Sequence, residues 1–321
     1  MFAKDIGIDL GTANVLIYVK GQGIVLNEPS VVAIDAETKK TLAVGREAHE
    51  MLGRTPGKVN AIRPLKDGVI ADFEVTEIML NYFIKKINGK GILSKPRILI
   101  CCPSNITNVE KNAIKEAAER TGAKKVFLDD EPKVAAVGAG LDISKPSGNM
   151  VIDIGGGTTD VAILSLGGIV TSESVKVAGD TFDSDIMKYI KDKYKLLVGE
   201  VTSQDIKLNI GNVFPNSKDE KMDVRGRDLV TGLPKTVTIS SKEVEEALKE
   251  SVDVIIHAAK TVLENTPPEL SADIIDKGIV LTGGGALLNG FDKLLAQELK
   301  VPVYVAESPL TCVAEGTGIL L

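Results

Sequence analysis

Apolar residues along this chain follow two rhythms, and the places where the rhythm changes mark out the elements. Near the N-terminus the runs are continuous or alternate with period 2, which predicts strands over residues 6–10, 15–19 and 30–34, the last following a turn at Glu28-Pro29. Residues 36–66 are more polar and are broken by glycine and proline, so they read as surface-rich. After Asp72 the period becomes helical: Val75, Ile78, Met79, Tyr82 and Phe83 share one face. A buried strand is expected over 97–102. Thr107-x-x-Glu110 then forms a capping box for a helix that stops at Gly122. A strand over 125–128 delivers Asp129, Asp130 and Glu131 to its end, with Pro132 at the first position of a short helix.

The same alternation resumes after the Pro146-Ser-Gly148 turn. Met150, Val151 and Ile152 read as one buried strand, and residues 161–164 as its hairpin partner. Helices are expected over 182–197, with Phe182, Ile186, Ile190 and Tyr194 on one face, and over 203–210. Residues 213–240 look like a β-rich insertion. Ser240-x-x-Glu243 caps a long helix reaching Asn265, with Val244, Leu248, Val252, Ile255, Ala259 and either Val262 or Leu263 inward, and Pro267-Pro268 ends it. A strand over 279–281 runs into a glycine turn and a helix-like stretch over 286–299; a final helix begins near Gly316.

The glycine turns carry the chemistry. In Asp153-Ile-Gly-Gly-Gly-Thr-Thr-Asp160, three residues without Cβ let backbone N–H groups approach a phosphate, and the flanking carboxylates suit a hydrated cation. A plain glycine-rich hairpin would explain that turn alone, but the pattern occurs twice. Asp9-Leu-Gly11-Thr12-Ala-Asn14 precedes a strand and Gly23-Ile-Val25, just as Asp153 leads to Gly168-Ile-Val170; the two aspartates lie 144 positions apart in 321 residues. Such a repeat suggests two similar half-molecules facing each other. A third turn, Thr282-Gly-Gly-Gly285, follows a strand and suits a nucleotide edge.

These three turns look like the two phosphate loops and the adenosine loop of the actin, Hsp70 and sugar-kinase superfamily. The whole chain resembles the MreB/Mbl-type bacterial actins through Asp5-Ile-Gly-Ile-Asp-Leu-Gly-Thr-Ala-Asn14, Leu26-Asn-Glu-Pro-Ser-Val-Val32, the stretch from Ala61 through Arg63-Pro-Leu-Lys-Asp-Gly68 to Asp72, and Leu281-Thr-Gly-Gly-Gly-Ala-Leu-Leu288. Leu99-Ile-Cys-Cys-Pro103 and Glu131-Pro-Lys-Val-Ala-Ala136 tilt it toward the Mbl branch. The resemblance implies an α/β, actin-like ATPase fold: two duplicated RNase H-like domains flanking a nucleotide cleft, 1–145 with a small subdomain at about 33–66 and 146–321 with one at about 181–242. It implies ATP held by Gly11, Thr12, Ala13 and Asn14 and by Gly155, Gly156, Gly157 and Thr158, with Gly179 and Asp180 beside the phosphates. Gln204 and Lys207 would flank the adenosine, Lys207 near the ribose, although Asn209 stands where relatives often carry a glutamate. Gly283, Gly284, Gly285, Ala286 and Leu287 would lie on its other side. Mg²⁺ would be bound through water by Asp9 and Asp153. Glu131 would orient the attacking water, with Asp130 the neighbouring candidate, and hydrolysis would be slow and coupled to polymerisation.

Composition changes this picture little. With 44% hydrophobic residues the chain can bury a large core, and a net charge of −6 with dispersed basic residues argues against nucleic acid as a partner. Cys101, Cys102 and Cys312 are too few for a disulfide framework, and Cys101 and Cys102 fall in a strand pattern. His49 and His257 have no metal-ligand spacing. No apolar tract spans a membrane and no signal-peptide pattern opens the sequence, so a cytoplasmic location is expected. Ile92 and Leu93, between Lys90 and Lys95 in a glycine-flanked loop, and Phe2 near the start are candidate anchors to the inner face of the cell membrane, where the resemblance also implies self-assembled filaments and membrane proteins of the cell-elongation machinery as partners. Rival readings on the same fold are a plasmid-segregating actin, a sugar kinase, for which no dedicated insertion is found, and an Hsp70-type chaperone, which needs a further peptide-binding domain.

Overall fold

The computed structural model describes residues 5–88, 96–103, 106–215 and 219–321. The chain opens with an antiparallel meander, β1 (Asp5–Leu10), β2 (Asn14–Val19) and β3 (Gly23–Pro29). A corner sheet follows from β4 (Val32–Asp35), β5 (Thr41–Val44), helix α1 (Arg46–Glu50) and β6 (Val59–Ile62). Next come a two-residue hairpin between β7 (Leu65–Lys66) and β8 (Val69–Ile70), and α2 (Phe73–Asn88). Strands β9 (Arg97–Cys102) and β10 (Lys125–Asp130) flank α3 (Asn108–Arg120) and add parallel to β1, so the sheet reads β10-β9-β1-β2-β3. Helix α4 (Glu131–Gly138) leaves its edge.

The second half repeats the plan. Strands β11 (Asn149–Ile154), β12 (Thr159–Ser165) and β13 (Gly168–Val175) form a meander, and helix α5 (Gly179–Tyr194) follows. A small sheet is built from β14 (Leu196–Leu197), β15 (Lys221–Asp228) and β16 (Pro234–Ser240), with α6 (Glu200–Ile210) between the first two. Then come α7 (Ser241–Glu264), α8 (Pro268–Lys277), β17 (Ile279–Thr282), α9 (Phe291–Leu299), β18 (Val303–Val305) and α10 (Cys312–Leu320). The order β13-β12-β11-β17-β18, with β17 and β18 parallel to β11, matches the first sheet strand for strand. The repeat in sequence is therefore a repeat in topology.

Central strands are buried on both faces, which is why β11 and β12 read as unbroken apolar runs rather than alternating ones. Each sheet has its own core, one around Ile6, Ile8, Phe83 and Ile100 and one around Ile152, Phe182, Ile255 and Phe291. A third cluster joins the halves where α4 meets β11 and β12 through Val134, Ala136, Val151 and Ala162. Helix α10 closes the same seam, packed so tightly on α4 that a Cβ on Gly138 would lie 1.8 Å from the Cys312 carbonyl oxygen. Backbones touch there.

Several boundaries differ from the pattern-based expectation. Glu28-Pro29 is the end of β3 rather than a turn; Pro29 pairs with Asn14 at the strand terminus, where a missing N–H costs nothing. The buried face of α2 is Val75, Met79, Leu80, Phe83 and Ile84, while Tyr82 is exposed, because the helix packs one position further round. Helix α5 starts at Gly179, three residues early, and α10 starts at Cys312 rather than near Gly316. The expected helix over 286–299 is broken: residues 284–287 form a 3₁₀ turn, and Gly290 at φ 80° resets the chain before α9.

The capping box at Ser240 forms as read, and Glu243 does more than cap. Its carboxylate accepts from the Ser240 N–H, from Tyr194 and from Lys193 at 2.8 Å, tying the small sheet to the ends of α5 and α7. Burial alone would raise its pKa, but the hydrogen bonds from Lys193, Tyr194 and Ser240 outweigh it and bring the group down to about 2. A carboxyl depressed in the folded state stabilises above its unfolded pKa and stops doing so as pH falls through the folded one. Glu243→Gln is therefore expected to lower stability by about 1–2 kcal/mol at pH 7, the partial exposure of the ion pair being discounted. The gap to the parent should close between about pH 4.5 and about pH 2. Paired denaturant melts across that range check it; a gap that does not vary with pH would refute the electrostatic account.

Candidate nucleotide site

Between the halves lies a cleft of about 650 Å³, within the usual size of small-molecule sites. One wall is the β1–β2 turn, Gly11 to Asn14, and the other is the β11–β12 turn, Gly155 to Thr158. They meet closely. A Cβ on Gly156 would lie 2.7 Å from the Ala13 Cβ, and one on Gly157 would lie 2.6 Å from the Thr12 Oγ1, so the second hairpin reaches the first only because it is glycine. Register places Asp9 opposite Leu16 and Asp153 opposite Asp160, each aspartate at the mouth of its own hairpin.

The floor of the cleft is acidic. Burial raises Asp9 to about 7, and burial with repulsion from Asp160 and Asp9 raises Asp153 to about 7. Glu131 stands well above the usual carboxylate range for the same reasons, burial first and then the charges of Asp153, Asp160 and Asp9. Carboxylates crowded out of water in this way repel one another, and a nearby cation would relieve that repulsion. Among the described residues no three Asp, Glu, His or Cys side chains are close enough to chelate a metal directly. The oxygen donors of Asp9 and Asp153 would suit, as outer partners, an ion that keeps its waters, as Mg²⁺ does.

The neighbouring acids of β10 are separated by their partners. Asp129 accepts from Lys133 at 2.9 Å and Asp130 from Lys111 at 3.4 Å, and neither lines the cleft; Glu131, at the start of α4, does. Of the residues read from sequence, Gln204 and Lys207 line the cleft from α6, Gly179 and Asp180 from the start of α5, and Gly283, Gly284, Gly285 and Leu287 from the turn after β17. Ala286 does not: it is buried in the core of the second half, because the 3₁₀ turn points it inward. Lys207 is also more engaged than a ribose contact would be, donating to Gly179 O and to Asp183. Phe2, Ile92 and Leu93 lie outside the described residues.

Sequence reading missed the β7–β8 turn. Asp67 at φ 51° and Gly68 at φ 76° form a tight hairpin that enters the cleft from the corner of the first half. The Gly68 N–H donates to Thr12 Oγ1 at 3.2 Å, and a Cβ on Gly68 would lie 2.6 Å from Thr158 Cγ2, so this turn touches both phosphate hairpins. The Asp-Gly dipeptide was the available signal. Arg63 of the first half also reaches Glu200 of α6 in the second at 3.8 Å. Leu208, Leu287 and Leu310 are exposed apolar side chains lining the cleft, a surface suited to a flat base.

Comparison with known proteins agrees with this architecture. The family model described as MreB/Mbl protein matches residues 3–321. The chain is 70% identical over its full length to the cell shape-determining protein Mbl of Bacillus cereus, covering 96% of it. It is 54% identical to the cell shape-determining protein MreB of Escherichia coli strain K12 over 99% of this chain and 93% of that one. A crystal structure of MreB 5 of Spiroplasma citri bound to AMPPNP superposes with a TM-score of 0.95 at 43% identity, covering 100% of this chain and 96% of that one. The subunit of a MamK double helical filament, at 22% identity and a TM-score of 0.85, shares the fold. On sequence and structure together, the chain belongs to the MreB/Mbl family of actin-fold proteins.

Proposed function

We propose that this chain is an ATP-binding and ATP-hydrolysing bacterial actin that polymerises into filaments at the inner face of the cell membrane and helps set cell shape by organising cell-wall synthesis. The observation that carries this reading is a cleft in which two glycine hairpins oppose each other with Glu131 between them, in a chain 70% identical to a cell shape-determining protein. Backbone N–H groups of the hairpins bind the phosphates, and Leu208, Leu287 and Leu310 receive the base. Mg²⁺ held through water by Asp9 and Asp153 would neutralise phosphate charge. Glu131 accepts a hydrogen bond from the attacking water and aims it along the phosphorus–leaving-oxygen axis. Hydrolysis is thus positional, and closing the halves in a filament improves the alignment and raises a slow basal rate.

Negative-stain microscopy and phosphate release, each with and without ATP and Mg²⁺, test this together. Straight filaments and slow phosphate release support it; phosphorylation of a sugar without filaments would overturn it in favour of a kinase. The chain is proposed to be cytoplasmic and peripheral at the membrane, with membrane proteins of the cell-elongation machinery as further partners. The anchor assigned to Ile92 and Leu93, with Phe2 assisting, makes a separate prediction. Burying the two large side chains contributes about 2–4 kcal/mol and each nearby lysine about 1 kcal/mol on anionic lipid, too little to hold a monomer but enough when a filament repeats it. Filaments, and not monomers, are expected to co-sediment with anionic liposomes, and Ile92→Ser with Leu93→Ser to abolish this without affecting polymerisation. Full binding by the double variant would move the anchor elsewhere.

A further inference from the structure

The ammonium of Lys207 is held between two groups at the start of the neighbouring helix. It donates to the Gly179 carbonyl oxygen at 2.8 Å and to Asp183 Oδ2 at 2.9 Å. Both side chains are largely removed from solvent, at 14% and 12% exposure. Asp183 is itself fixed: its main-chain oxygen accepts from the buried Ser203 hydroxyl, while its Oδ1 is buried without a hydrogen-bond partner. On its other side the Gly179 peptide is gripped by the second phosphate hairpin. The Gly179 N–H donates to Gly155 O at 3.2 Å and the Asp180 N–H to Gly156 O at 2.8 Å. A Cβ on Gly179 would sit 3.3 Å from Gly155 O and 3.4 Å from Lys207 Nζ, so the peptide is closely held between the two.

We propose that Lys207 is a positioning residue: anchored by Asp183, it holds the Gly179-Asp180 turn against the phosphate hairpin, so that the adenosine wall on α6 and the phosphate wall on β11–β12 are aligned as one unit. This rests on the reading of the cleft as an ATPase site. A buried ion pair is poor evidence of stabilisation, since well-packed apolar side chains often serve as well. An apolar replacement cannot supply the donor to Gly179 O. Two of the three N–H donors of the lysine are committed within the protein, to Gly179 O and to Asp183. The side chain thereby ties α6 to the start of α5, 24 positions away along the chain at Asp183 and 28 at Gly179.

The test separates this role from simple structural support. Removing the ammonium alone would leave the buried Asp183 uncompensated, so the informative comparison is Asp183→Asn against Asp183→Asn with Lys207→Met, both neutral at position 183. Single-turnover ATP hydrolysis, ADP affinity and melting are measured on the full chain beside the parent. Asp183→Asn keeps the donor to Gly179 O and should slow hydrolysis less than about threefold. The double variant should slow it a further ten- to hundred-fold, the range expected for misplacement of about 1 Å, with ADP affinity within about threefold and melting like that of the single variant. Equal hydrolysis by the two variants overturns the proposal. So does a double variant that fails to fold while Asp183→Asn folds, because Lys207 would then be structural. A parent chain that hydrolyses no ATP sinks the enzymatic reading and this proposal with it, and is recognised before any variant is made.

Discussion

Glu131→Ala is expected to leave nucleotide affinity within a few-fold of the parent while slowing phosphate release by about 10²-fold or more. The size follows from where the residue stands. It is the only one of the three consecutive acids at 129–131 that lines the cleft, and Asp129 and Asp130 are turned away by Lys133 and Lys111. Neither neighbour can therefore substitute without breaking its own ion pair. The loss is confined to the chemical step, because Glu131 makes no part of either hairpin wall. Removing a carboxylate from a crowded acidic floor also relieves repulsion of Asp9 and Asp153, so binding should not weaken through that route. Single-turnover hydrolysis and equilibrium nucleotide titration on the same preparation decide it. An unchanged hydrolysis rate would assign the water to another group. A large fall in affinity would make Glu131 a binding residue instead.

The parts of this site that follow local rules were legible in the sequence. The two hairpins announce themselves because glycine, a flanking aspartate and apolar strands occur in the same order twice, and β1–β2 and β11–β12 adopt that order in three dimensions. The place of Glu131 at the cleft was legible because a strand end, an acid and a proline at a helix start occur together. What was not legible depends on distant packing. The face of α2 rotated by one position because both candidate faces are apolar and only the sheet decides between them. Ala286 was placed in the adenosine loop by the resemblance; the 3₁₀ geometry that turns it inward depends on Gly283 at φ 79°. The Asp67-Gly68 turn lay just past the segment read as surface-rich, in a stretch quoted only for the resemblance, and only the folded corner of the first half brings it to Thr12 and Thr158. Lys207 shows the same limit: spacing put it on the face of Gln204, but its carbonyl partner on another helix could not be read from that face alone.

Asp153→Asn should have opposite effects on the empty and the loaded protein. In the empty protein Asp153 is buried, and its charge is opposed by Asp160 and Asp9. An uncompensated buried carboxylate costs stability, so the neutral isostere should raise the melting temperature of the nucleotide-free chain at pH 8 by a few degrees, on the order of 1–2 kcal/mol. In the proposed function the same charge would hold a hydrated Mg²⁺, and its loss should weaken Mg²⁺-dependent ATP binding by about tenfold or more while leaving the much weaker Mg²⁺-free binding nearly level. A residue that is unfavourable for the empty fold and favourable for the ligand is the pattern expected of a binding site rather than of a structural carboxylate. Two melts and two titrations separate the outcomes. If the variant melts lower than the parent without ligand, and ATP affinity with Mg²⁺ does not change, Asp153 is structural and the acidic floor is not a cation site.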